Sequence, residues 1–248
     1  MKNNLFLNKP LLNIYEKPTK SSKITSQLIF GESFKVLLKK KNYLKIKTNY
    51  DKYTGYIKNS KFLKEYFPNY KVKVLKSRIY KKPKLQAKTK QFLTFSSNVQ
   101  ITKTEGKYGK IGNNKWLITS DLEKYDNNIR NFKRYLNLFI NCKYLWGGKS
   151  YKGIDCSALI QLYYKFNNVY FPRDTIDQIK EKKGRKLNYL FKRGDLIFWK
   201  GHVAVCVDKN NLIHAYGPKK KVLKMNIYKT LSSIKKTAKL NVIKIFSI

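Results

Sequence analysis

Between residues 11 and about 66, apolar and polar positions alternate in short runs. "SFKVLL" (33 to 38), "YLKIKT" (43 to 48) and "YTGYIKNS" (53 to 60) each read as a half-buried strand, because successive side chains of a strand point to opposite faces. Turn-forming stretches separate them, Phe30-Gly31-Glu32 and Asn49-Tyr50-Asp51. Several short strands at this spacing predict a small barrel or sandwich. Residues 71 to 122 repeat the plan loosely. "KVKVLKSRIYKKP" echoes "LLNIYEKP", each with an Ile-Tyr pair and a proline close behind. "NVQITKTEGKYGKIGNNKWLITSDL" then supplies three short strands joined by Gly- and Asn-bearing turns. Two copies of one small barrel are expected, over residues 1–68 and 69–124.

The period changes at 127. In "NNIRNFKRYLNLFI" (127 to 140), Ile129, Phe132, Leu136 and Phe139 recur at helical spacing. From 144 on, the order is loop, helix (156 to 168), loop, short helix (174 to 183), then strands at 194 to 200, 202 to 208 and 211 to 217. A helix packed on an antiparallel sheet makes residues 125–248 an α+β unit, so the whole chain is expected to be α+β.

Composition narrows this picture. A chain of 248 residues that is 42% hydrophobic can bury several small cores, and its 28% charge does not make it disordered. The net charge of +41 points first to an anionic partner. Lysine, however, is spread over the whole chain beside abundant Asn, Ile, Tyr and Phe, the skew that AT-rich coding imposes. No dense basic arm stands out, so non-specific attraction to anions is expected and a specific nucleic-acid partner is not. Three cysteines (Cys142, Cys156 and Cys206) without a CxxC argue against a disulfide framework and a zinc site, and neither metal nor cofactor is expected. No apolar run approaches the ~20 residues of a membrane helix. The first apolar run is broken at Asn8, Lys9 and Pro10, so a soluble cytoplasmic chain with no membrane partner is expected. Nothing in the sequence sets an oligomeric state.

The candidate chemistry begins at "GIDCSALIQLYYKF" (153 to 166), which delivers Cys156 to the first turn of an amphipathic helix. Free cysteine is among the most buried residue types, so a small core hydrophobe is the plain alternative. Asp155 is placed to cap the helix, and the helix start is expected to lower the thiol pKa. "WGG" (146 to 148) and Gly153 let the backbone approach a ligand closely. A cysteine nucleophile needs a base. The chain has two histidines, His202 and His214, both on predicted strands downstream. His202 is read as base and acid, and His214 as the residue that holds the orientation and tautomer of the first ring. Cys142 and Cys206 are read as core residues, and Trp146 and Trp199 as packing.

These residues carry a resemblance. "YLWGGKSYKGIDCSALIQ" (144 to 161), "FPRDTIDQ" (171 to 178), "RGDLIFWKGHVAV" (193 to 205) and "LIHAYG" (212 to 217) resemble an NlpC-type papain-like cysteine peptidase, from the superfamily of bacterial cell-wall peptidases. Ala158 departs from the glycine usual after Asp-Cys-Ser, and no loss of activity is expected from a better helix former. "SQLIFGESFKVL" and "DKYTGYI" are similar to bacterial SH3-type domains. Together they resemble the γ-D-glutamyl-L-diamino-acid peptidases that recycle wall peptides with a free N-terminal L-alanine. The resemblance implies Cys156 as nucleophile, His202 as base and His214 as third member. It implies that Tyr144 helps bind the developing oxyanion, and that Asp155 and Ser157 bind the substrate ammonium. It implies further that Thr175 faces the substrate, and that Glu32 and Tyr53 contribute from the SH3-type domain. The substrate is then a muropeptide. Two alternatives stand beside this: an exported hydrolase that cuts intact peptidoglycan, and a non-catalytic module that binds anionic polymers.

Overall fold

The computed structural model describes residues 4–128, 131–185 and 190–248. The chain divides into two compact units. One comprises Met1–Asn128 with Lys149–Tyr151 and Lys165–Asn168; the other comprises Ile129–Gly148, Lys152–Tyr164 and Val169–Ile248.

In the first unit, the alternating runs form an antiparallel six-stranded sheet. Its order is Leu5–Phe6, Ser33–Lys40, Tyr43–Thr48, Thr54–Lys58, Leu11–Tyr15 and Ile24–Ile29. The inward positions of that alternation, Ile14, Leu28, Phe34, Leu44, Ile46 and Ile57, fill one core together with Leu7. A second five-stranded sheet runs Lys103–Glu105, Tyr108–Gly112, Lys115–Ile118, Lys76–Tyr80 and Lys88–Thr94. A three-stranded sheet of Asn98–Val99, Tyr70–Val72 and Leu122–Lys124 accompanies it. The two Ile-Tyr pairs occupy matching places. Each ends a strand, Leu11–Tyr15 or Lys76–Tyr80, that pairs antiparallel with the strand after it. The core of the second set includes Val72, Ile79, Leu93, Val99, Leu117 and Leu122, joined by Phe30 and Tyr66. The turn at Gly31 admits no side chain: φ is +77°, and a Cβ there would lie 2.0 Å from the Asn98 carbonyl oxygen.

The second unit is α+β. Its antiparallel sheet runs Lys221–Asn226, Asn211–Tyr216, His202–Cys206, Asp195–Trp199 and Lys244–Ser247. Among the described residues, four helices accompany it in chain order: α1 (Phe132–Phe139), α2 (Cys156–Phe166, whose last two residues belong to the first unit), α3 (Thr175–Gln178) and α4 (Ile227–Ala238). The Asn131 side chain caps α1, which buries Phe132, Tyr135, Leu136 and Phe139. The helix expected over 127 to 140 therefore begins later than its pattern suggested, and Ile129 lies outside the described residues. The short helix expected over 174 to 183 is confined to Thr175–Gln178. Helix α4 and the strands Lys221–Asn226 and Lys244–Ser247 are additions to the sequence reading. Ile227 and Ile234 of α4 complete a core with Ile197, Trp199, Ala204, Leu212 and Ile245. Among the described residues, no helix is long and apolar enough to cross a membrane.

Candidate active site

Cys156 is the first residue of α2. The Asp155 carboxylate accepts from the Ala158 N–H at 2.8 Å, which caps the helix one turn in. The same carboxylate takes the Gly147 N–H at 2.9 Å and the Ser157 hydroxyl at 3.1 Å. It also takes both arms of the Arg173 guanidinium, at 3.0 and 2.6 Å. Arg173 reaches the Ser157 hydroxyl as well, at 2.8 Å. Helix α3 is tied to this cluster by Gln178, whose amide donates to the Ser157 carbonyl at 3.0 Å and the Pro172 carbonyl at 2.9 Å. The start of α2 is thus fixed by a buried, neutralised Asp–Arg pair. The carboxylate expected to meet a substrate ammonium already has a cationic partner. Arg173 stands in the quoted "FPRDTIDQ", but eighteen residues of separation gave no sign of the pairing.

His202 enters its strand from a tight two-residue hairpin. Trp199 pairs with His202 across Lys200 and Gly201, and Gly201 takes φ +74°. The next residue, Val203, gives its backbone N–H to the Cys156 sulfur, which brings Cys156 to the start of the His202 strand. His202 Nε2 lies 2.9 Å from His214 Nδ1. The Tyr216 ring stacks on His214 with centroids 4.5 Å apart and planes at 11°. His214 Nε2 lies 3.3 Å from the Met225 sulfur.

Burial sets the charges here. It pushes the Cys156 thiol up to about 12; the Asp155 charge adds to this, while the Val203 N–H and Arg173 oppose it. The helix start was expected to lower this value, and desolvation outweighs it. Burial also lowers His202 to about 4 and, together with its neighbour His202, His214 to about 2. Burial thus favours the uncharged forms of both groups, thiol and imidazole. Tyr144 forms a bridge with Ile154, two residues before Cys156. Burial, then the Cys156 and Asp155 charges, push its phenol up to about 12, so its hydroxyl stays a donor. Tyr144, His202 and Tyr216 share the wall of a cavity of about 600 Å³ with Lys200, Lys219 and Ser233.

The remaining expected residues are placed as follows. Thr175 opens α3. Glu32 and Tyr53 belong to the other unit. Glu32 is buried there, accepts the Ile29 N–H at 2.9 Å and pairs with the ammonium groups of Lys149 at 2.8 Å and Lys165 at 3.6 Å. It is the counter-charge of two buried lysines. Tyr53 packs against the first core, and its N–H donates to the Thr48 hydroxyl at 2.8 Å. Cys142 and Cys206 are buried free thiols, both raised by burial, Cys142 to about 11. Trp199 is buried, but Trp146 is 66% exposed, which corrects its reading as a packing residue.

Two stretches of the chain match known families. Residues 141–240 match the NlpC/P60 family, and residues 10–64 match the bacterial SH3 domain. The chain is similar to a γ-D-glutamyl-L-lysine dipeptidyl-peptidase of Bacillus subtilis, 39% identical over 85 residues, which covers 31% of this chain and 28% of that one. It is similar to dipeptidyl-peptidase 6 of Lysinibacillus sphaericus, 36% identical over 81 residues, which covers 31% of this chain and 28% of that one. The matched region is thus under a third of these relatives' own length. A crystal structure of an NlpC/P60 family protein from Bacillus cereus shares the fold, with a TM-score of 0.78 and 17% identity over 90% of this chain and 94% of that one.

Proposed function

Residues 141–240 are an NlpC/P60 domain and residues 10–64 a bacterial SH3 domain, and from that premise we propose that the chain is a cysteine peptidase. Its bond is the γ-D-glutamyl–diamino acid bond of soluble peptidoglycan-derived peptides that carry a free N-terminal L-alanine. One observation carries the chemistry: the Cys156 sulfur receives the Val203 N–H, beside a His202 whose Nε2 is held at 2.9 Å by His214. That bond leaves Nδ1 of His202 for the thiol. The bond preference is supported by the relative named γ-D-glutamyl-L-lysine dipeptidyl-peptidase, with a second relative named dipeptidyl-peptidase 6.

In this reading, His202 Nδ1 takes the thiol proton as sulfur attacks the γ-carbonyl carbon. The carbonyl π pair moves to oxygen, where Tyr144 O–H and backbone N–H groups stabilise it. The pair returns, the C–N bond breaks, and the imidazolium gives its proton to the leaving amine. Water then attacks the thioester with His202 again as base, which releases the acid and restores the thiol.

The test is cleavage of L-Ala-γ-D-Glu-diaminopimelate and its N-acetylated form, followed by mass spectrometry. Cleavage of the free-amine peptide alone, absent in Cys156→Ala, is expected. Equal cleavage of both peptides would remove the amine requirement and point to a hydrolase of intact wall. Full activity in Cys156→Ala would overturn the mechanism.

A further inference from the structure

The line of hydrogen bonds behind the base does not stop at His214. Met225 stands on the strand Lys221–Asn226, whose register pairs Leu223 with His214. Two residues further along, Met225 shares that face of the sheet. Its sulfur lies 3.3 Å from His214 Nε2. His214 is fully buried. Among the described residues, its ring bonds to His202 on one side and to Met225 on the other.

A thioether accepts a hydrogen bond weakly and has no proton to give. That asymmetry gives the whole line a direction. With sulfur as acceptor, Nε2 of His214 carries the hydrogen. In a neutral ring Nδ1 is then bare. A bare Nδ1 accepts from His202 Nε2–H across the 2.9 Å contact, so Nδ1 of His202 is bare in turn. Only that tautomer of His202 can take the proton of Cys156. The reversed line, with His214 Nδ1–H donating to His202 Nε2, would put a hydrogen on the nitrogen that has to be the base.

We propose that Met225 is a positioning residue that fixes the tautomers of both histidines, so that His202 stands ready as a base. This rests on the Cys156–His202 reading above. Without the sulfur, a buried His214 Nε2–H has no acceptor among the described residues. The reversed line, which leaves Nε2 bare in apolar surroundings, then competes. Orientation and tautomer control by the residue behind the base is the known task of a third triad member; here that task continues one residue further.

The chain contains two methionines, Met1 and Met225, and two histidines. Norleucine incorporated in place of methionine therefore removes the sulfur at 225 with little change of shape. Selenomethionine replaces it by another acceptor. Long-range ¹H–¹⁵N correlation on ¹⁵N-histidine protein separates bare from protonated ring nitrogens without any substrate. In the methionine and selenomethionine proteins, both rings should be protonated at Nε2. In the norleucine protein and in Met225→Leu, an Nδ1-protonated population should appear on both rings, with kcat about tenfold lower and KM unchanged. The selenomethionine protein should keep the native kcat. A folded norleucine protein with native tautomers and native kcat would sink the proposal, as would a native protein whose His202 is protonated at Nδ1. Correct tautomers in a protein that cleaves neither peptide would overturn the peptidase reading and leave the role of Met225 standing.

Discussion

In the proposed mechanism a proton passes from Cys156 to His202, which requires that the thiol holds it and the ring has room for it. Burial arranges both: the thiol is pushed up to about 12 and the imidazole down to about 4. The sign of the pH dependence follows. Above about 4 His202 is neutral and competent. As pH falls through that value the ring charges, and kcat/KM should drop about tenfold per unit. No further rise is expected near pH 8 to 9, where an ordinary free thiol ionises, because in the proposed mechanism the reactive form is not a pre-existing thiolate. A kcat/KM profile on the free-amine peptide from about pH 3.5 to about 9, with circular dichroism to verify the fold, checks this. An acid limb near 6.5 would mean that the imidazole is not held down, and a limb near 8.5 that a free thiolate is the nucleophile.

At the scale of elements, the start of α2 depends on the Asp155–Arg173 pair, with side chains 9% and 1% exposed. Removing one partner of a buried pair leaves the other charge uncompensated. Arg173→Met should therefore lower stability by about 3–5 kcal/mol in urea unfolding, and lower kcat because the turn that carries Cys156 loosens. A variant as stable as the parent would show that Arg173 is not needed to hold Asp155. The elements also show what local sequence carries. Strands such as Tyr43–Thr48 were legible because the alternation of one face is written in six consecutive residues. The candidate set Cys156, His202 and His214 could be picked out because the chain has so few cysteines and histidines, and Cys156 and His202 sit at a helix start and a strand start. Arg173 and Met225 could not, because their partners lie eighteen and eleven residues away and only the folded backbone joins them. Helix α4 buries only Ile227, Thr230 and Ile234, a thin stripe among lysines, although Asn226 does cap it. The strand Lys244–Ser247 owes its place to pairing with Asp195–Trp199, about fifty residues back. The pairing of Glu32 with Lys149 and Lys165 was not legible either, because those lysines lie more than a hundred residues away.

Over the whole molecule, the +41 charge acts at a distance that no single contact describes. The proposed substrate carries more carboxylates than ammonium groups, and the candidate cavity presents Lys200 and Lys219. A field of one sign raises the encounter rate of an oppositely charged ligand, and salt removes that gain over a Debye length of roughly 10 Å at 0.1 M. Raising NaCl from about 0.02 M to about 0.3 M should therefore lower kcat/KM several-fold. The chemical step is buried and little screened, so kcat should stay within about twofold. The comparison that isolates the field is a peptide whose free carboxylates are amidated: its kcat/KM should be nearly flat in salt. An equal salt response of the two peptides would assign the effect to the protein's own conformation instead of to attraction between charges. A salt-insensitive kcat/KM for the anionic peptide would mean that the lysines are too dispersed to act together at the cleft.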